Sequence, residues 1–150
     1  LAKITRRELS EEAAARERAL VFITEHIEGA GDILAKEVLH GGEKVAKKDL
    51  VFSKEGLEEL KDFHAKIMKK FELTQKAIHE RDRALAEQVI QLSFKDSIYE
   101  RKLRESHLTR LHAGGSETVT SSSVHLSILA GLNEIGGKMT KIAEEIIQEM

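Results

Sequence analysis

Glu28 and Asp32 stand four residues apart, a spacing that puts both carboxylates on one face of a helix. Like charges so placed repel by roughly 0.2–0.5 kcal/mol in an isolated helix. A cation held between them would remove that cost. The intervening Gly29-Ala30-Gly31 leaves the backbone bare, so a ligand or a neighbouring helix can come close. A solvated acidic edge is the more ordinary reading of the same residues.

Other constellations carry less chemistry. A di-iron carboxylate bundle needs two Glu-x-x-His motifs on facing helices. This chain has one such spacing, Glu37 to His40. Seven histidines are scattered as His26, His40, His64, His79, His107, His112 and His125. No two of them have the i, i+4 spacing that sets two imidazoles on one helix face for a metal. They read as surface or seam residues making hydrogen bonds, and His64 stands out because it falls on an apolar seam. Gly114-Gly115-Ser116 lacks the Lys-Ser/Thr of a phosphate loop. No Cys is present, which excludes disulfides, thiolate metal sites and Cys nucleophiles. No catalytic group is assigned, and the chain is expected not to be an enzyme.

The elements that carry these residues are helices. The chain has 150 residues, enough for one domain, and no Pro to break a helix. Aromatic residues make up 4%, so the core must be mostly aliphatic. Basic and acidic residues are interleaved, with a formal net charge of -2. That balance gives no support for a nucleic-acid or membrane-surface binder. No stretch approaches the roughly 20 apolar residues of a membrane span.

Four helical segments are expected, at about 10–39, 53–80, 82–112 and 119–149. Ser10, Ser53 and Asp82 are the N-caps. His40-Gly41-Gly42 can close the first segment. Phe52 is placed as a staple toward Leu57. The first seam runs Ala13, Leu20, Ile23, Ile27, Ala30, Leu34 and Val38; the second runs Leu57, Leu60, His64, Ile67, Phe71, Thr74 and Ile78. A looser third stripe joins Leu85, Val89, Leu92, Ile98, Leu103, Leu108 and Leu111. The fourth seam is the most regular: Ile128, Leu132, Ile135, Met139, Ile142 and Ile146. Ile135 and Met139 are expected to be buried mid-seam. Short connections make sequential helices antiparallel neighbours, so the fold expected is an all-α, antiparallel up-and-down bundle of about four long helices. The chain opens at Leu1 in helix-like text, so residues 1–8 are expected to end a preceding helix of a longer protein.

The stretch Ile27-Glu28-Gly29-Ala30-Gly31-Asp32 resembles the PhoU signature, in which a helix carries Glu-Arg-Ile-Gly-Asp with Glu and Asp as metal ligands. Leu132-Asn133-Glu134-Ile135-Gly136-Gly137, followed by Lys141-Ile142-Ala143-Glu144, is similar to the second copy of that pattern. Leu50-Val51-Phe52-Ser53-Lys54-Glu55-Gly56-Leu57-Glu58-Glu59-Leu60 and Arg104-Glu105-Ser106-His107-Leu108-Thr109-Arg110-Leu111 resemble the PhoU-like cytoplasmic region of bacterial sodium/phosphate cotransporters. The resemblance covers nearly the whole chain. It implies two three-helix repeats, with the first repeat truncated here at its N-terminus. The departures are Asn133 at the Glu position, Gly137 at the Asp position, and Gly29 in place of the Arg. Glu28 and Asp32 carry over as metal ligands; nothing carries over in the fourth segment.

The resemblance implies a non-enzymatic regulatory domain of a sodium-dependent phosphate transporter, at the cytoplasmic face of the inner membrane. Its partner would be the transporter's membrane part or another copy of itself, including a homodimer, with no nucleic acid. The alternatives are a free-standing PhoU-type metal-binding adaptor in phosphate-uptake signalling, and a metalloenzyme bundle. No cofactor is expected beyond a weakly bound divalent metal. A hard cation wants about six oxygens, and two carboxylates supply only part of that shell. The purified chain is therefore expected to carry little iron or zinc after dialysis, as read by elemental analysis. Stoichiometric metal that is lost in the Glu28→Ala, Asp32→Ala double variant would reverse that expectation.

Overall fold

The computed structural model describes residues 10–149; the helix end expected at residues 1–8 lies outside them. Every regular element among the described residues is helical. Ser10 opens α1 (Glu11–Ile33) by accepting a hydrogen bond from the Ala13 N–H. The ladder then loosens to π spacing over Leu34–Leu39, where the His40 N–H reaches the Ala35 carbonyl, and continues as α2 (His40–Lys48). Ser53 caps α3 (Lys54–Glu80) through the Gly56 N–H, and Asp82 caps α4 (Arg83–His112) through Ala84 and Leu85. Gly114, at φ +76°, turns the chain into α5 (Ser116–Glu149). The hydroxyls of Thr120 and Ser121 donate back to Glu117, so this Ser/Thr-rich text forms the first turns of α5 and not a loop.

Helices α3, α4 and α5 form an up-down-up bundle. The rod made of α1, the π stretch and α2 lies antiparallel along α5. Helix α5 is thus central and touches every other element. Side chains along the bundle fall into alternating layers. Ala77, Ala86, Val89, Met139, Ile142 and Ile146 pack with Ile23 near the α3–α4 turn. Next comes a polar layer holding Lys70, Thr74 and Asp96. Leu60, Phe63, Ile67, Leu103, Leu129 and Leu132 form the second apolar layer. His107 and His125 close the far end.

Four expectations change. The first helix does not stop at His40-Gly41-Gly42: helical bonding runs on to Lys48, and Asp49, in the left-handed region at φ 52°, ends it. The α3 seam keeps Leu60, Ile67 and Thr74, but its intervening positions lie one residue earlier, at Phe63, Lys70 and Ala77. His64 is therefore exposed, and Phe71 is 40% exposed. With 3.6 residues per turn, steps of three or four both continue a stripe, and packing chose the other set. Met139 is buried, as the α5 period indicates, whereas Ile135 is only half-buried. Phe52 packs on the second apolar layer and edge-on to His125, while Leu57 is 39% exposed.

Gly41 and Gly42 are adjacent in α2 yet meet different surroundings. A Cβ on Gly41 would lie 2.9 Å from Ile128 Cγ1, whereas one on Gly42 would meet nothing within 4 Å. Ala gains about 1 kcal/mol of helix propensity over Gly, and overpacking costs about 1–3 kcal/mol. Gly42→Ala is expected to raise stability by up to about 1 kcal/mol, and Gly41→Ala to lower it by about 1–2 kcal/mol. Chemical denaturation of the two variants checks the opposite signs.

Candidate functional site

Glu28 and Asp32 lie on α1, and both are exposed. Asp32 accepts a hydrogen bond from Lys36 Nζ at 2.8 Å. That bond, with the Lys36 charge, holds the Asp32 carboxyl below its ordinary pKa. Across the helix, Lys138 of α5 crosses the bare backbone at Gly29, its Nζ 3.3 Å from where a Cβ would stand. One ammonium thus pairs with Asp32, and a second covers the bare backbone at Gly29. Among the described residues no group of three or more His, Asp or Glu side chains is arranged to hold a metal ion. Asn133 and Gly137, the second-copy positions, lie elsewhere, against α3 and α4. The donors at Glu28 and Asp32 fit a multinuclear metal poorly.

Asn133 and Gly137 instead line a cavity of about 130 Å³, together with Ile67, Lys70, Ser93, Asp96, Ser97 and Gly136. Lys70 Nζ and Asp96 Oδ2 are 3.5 Å apart, with side chains only 2% and 10% exposed. Burial pushes the Lys70 pKa down against the opposing pull of Asp96. Despite the ion pair, Asp96 Oδ2 accepts no hydrogen bond within the described structure. Thr140 Oγ1 lies 3.1 Å from both Ser93 Oγ and the Gly136 carbonyl oxygen. Ser97 donates to the Ser93 carbonyl at 3.0 Å.

The end layer is a second buried polar cluster. The His107 and His125 rings stack with centroids 4.4 Å apart. His125 Nε2 lies 3.2 Å from the Gly56 carbonyl oxygen. A carbonyl only accepts, so Nε2 carries the proton. Nδ1 is then a buried acceptor with no partner in the described structure. His107 Nε2 is 2.9 Å from Ser122 Oγ. Beside the pair, Arg110 grips Glu59 with two hydrogen bonds, 2.9 and 2.6 Å, and Ser106 adds a third at 2.7 Å. Burial opposes ionisation of Glu59, but these hydrogen bonds and the Arg110 charge prevail and hold its pKa low.

From the sequence, His107 and His125 read only as surface or seam residues making hydrogen bonds, and Lys70 and Asp96 are not site candidates. Lys70 takes the α3 position between Ile67 and Thr74, and Asp96 falls midway between Val89 and Leu103 in steps of seven. A cation on one seam and an anion on the next is the signal that was available.

The outer side of α1 carries a second apolar stripe. Ala19 and Ile23 are buried, whereas Leu20, Ile27 and Leu34, seven residues apart, are 54%, 48% and 43% exposed. Only α5 and the continuing rod touch the α1 backbone.

No family model and no solved structure matches the chain. It is similar to the "Putative inorganic phosphate export protein YjbB" of Escherichia coli strain K12, at 24% identity over 153 positions. The protein of that name in Salmonella typhimurium strain LT2 shows the same 24%. In Escherichia coli O157:H7 the figure is 22% over 149 positions. Each match covers 99% of this chain but 27% of the relative. The chain thus spans about a quarter of the length of the curated relatives it matches.

Desolvation, then the neighbouring His107, pushes the His125 pKa from 6.5 to about 4; the Gly56 hydrogen bond only partly offsets this, with Arg110 and Glu59 adding opposite smaller pulls. His107 is also lowered, by burial and by Arg110. The unfolded chain therefore binds protons that the folded chain refuses. Stability should be fully present above the unfolded pKa of about 6.5 and fall as pH drops toward 4. The His125 share is about 3 kcal/mol at most. Denaturation midpoints at stepped pH check it: His125→Gln should flatten the slope between these limits.

Proposed function

We propose that the chain is a non-enzymatic regulatory domain of a sodium-dependent phosphate transporter, PhoU-like in fold, at the cytoplasmic face of the membrane. The observation that carries this reading is the Leu20–Ile27–Leu34 stripe. A helix with one side on α5 and a second apolar stripe open to water is built to be covered. The relatives' names concern phosphate export, and this chain matches only a quarter of their length. No described helix is long and apolar enough to cross a membrane, so any spans belong to other parts of a longer protein. The stripe docks on the transporter's membrane part, and a second copy of the domain is the competing occupant. A divalent metal at Glu28 and Asp32, as in a free-standing adaptor, would have to displace the Lys36 ammonium from Asp32.

The test is Leu20→Glu with Ile27→Glu in the whole transporter, read by uptake or efflux of labelled phosphate. Surface changes of this kind alter stability by about 0.5 kcal/mol or less, so the domain stays folded. Transport, or its response to phosphate supply, is expected to change. Unchanged transport overturns the docking. In the isolated chain, a dimer that sediments as monomer in the double variant assigns the stripe to a second copy.

A further inference from the structure

We propose that the cavity between α3, α4 and α5 binds a small oxyanion that carries its own proton, of which inorganic phosphate is the simplest. At about 130 Å³ it has room for about four waters at roughly 30 Å³ each, or for one tetrahedral oxyanion with little else. A lipid headgroup or a nucleotide is too large. Its charged wall is the Lys70 ammonium, nearly fully buried. That ammonium has three N–H donors, and Asp96, 3.5 Å away, can engage only some of them, which leaves donors for an oxyanion. Burial lowers the Lys70 pKa despite Asp96, so one carboxylate leaves the cation under-compensated. An anion would restore the balance.

The other lining groups set the selectivity. Ser93 Oγ, 3.1 Å from Thr140 Oγ1, adds a hydroxyl that can donate or accept as its proton rotates. The Asn133 side chain adds an amide that can donate too. Asp96 is buried, and its Oδ2 accepts no hydrogen bond. Beside a fully ionised oxyanion that carboxylate would repel. Beside a protonated one it accepts the ligand's O–H. Monobasic and dibasic phosphate carry such a proton; sulfate and phosphodiesters at neutral pH do not. Exposed Ser97 and Gly137 form the mouth. A Cβ on Gly137 would meet no atom within 4 Å, so a side chain can start there without a clash at its first carbon.

Binding is measured by titration calorimetry of the purified chain with inorganic phosphate, with sulfate and with dimethyl phosphate. A saturable one-to-one isotherm is expected for phosphate alone. Lys70→Met should weaken it by between about tenfold and a hundredfold, the worth of a hydrogen bond to a charged group. Asp96→Asn should erase the preference for phosphate over sulfate, because an amide can donate to either. Lys70→Met leaves Asp96 buried without its cation and can fail to fold. Gly137→Leu keeps every polar group, improves helix propensity and covers the mouth. It should abolish binding with no loss of thermal stability in the absence of phosphate. No isotherm with phosphate, an equal response to sulfate in the unaltered chain, or unaltered binding in Gly137→Leu would each overturn the proposal. Docking by α1 is independent of this cavity, so the two proposals fail separately.

Discussion

Burying Lys70 beside Asp96 constrains how α3, α4 and α5 can sit together. Each ion gives up water at a cost of several kcal/mol, and only a close partner offsets it. An apolar seam tolerates sliding, since one Leu replaces another in a similar hole. This pair does not: a slip of one helical turn, about 5.4 Å, would strand both charges in a dry interior. Gly136 of α5 is the third member. Its absent Cβ would come 2.8 Å from Ile67 Cδ1 and 3.9 Å from Lys70 Nζ. Any side chain there would press on the turn that carries Lys70. The ion pair and the glycine therefore fix the register of three helices at one level.

The remaining layers follow from that register. With Lys70 level with Asp96, the antiparallel α3 and α4 place Phe63 against Tyr99 and Glu59 against Arg110. Parallel α3 and α5 then bring Gly56 to His125. At the other end Ala77 meets Ala86, Val89 and Met139. Helix α5 has layers on one side and α1 on the other, so small residues recur along it. A Cβ on Gly131 would come 2.8 Å from Glu37 Cβ, and Ser127 hydrogen-bonds the Glu37 carboxylate. The π stretch of α1 falls at this contact, where an extra residue per turn re-aims Glu37 toward α5.

How much of this the residues disclose depends on the range of the interaction. Ser10, Ser53 and Asp82 are legible as caps because a cap is satisfied within three residues. The helical class is legible because the aliphatic period and the absence of Pro leave no competing pattern. The α3 seam is half legible: Leu60, Ile67 and Thr74 belong to either stripe, and only the facing helices select Phe63 over His64. Lys70, Asp96, His107 and His125 are hidden for a stronger reason. A periodicity argument assigns charged and polar residues to solvent, and their burial depends on partners 15 to 69 residues away. Gly41-Gly42 misleads in the opposite way. Glycine pairs usually end helices by taking positive φ, but here Gly41 stays helical because Ile128 needs the space.

Glu28 and Asp32 lie on the surface of α1. Both face water, and Asp32 is already paired with a neighbour one turn away. Asn133 and Gly137, by contrast, line the cavity between α3, α4 and α5, Asn133 half-buried and Gly137 exposed at its mouth. The cavity they line holds one cation, Lys70, and one anion, Asp96. Helix α5 walls that cavity with Asn133, Gly136 and Gly137, and within two turns it seats the α1 rod through Ile128, Gly131 and Lys138. A helix is stiff over so short a span. The cavity and the seat of α1 are therefore built on one continuous helix, although the exposed stripe of α1 takes no part in the cavity.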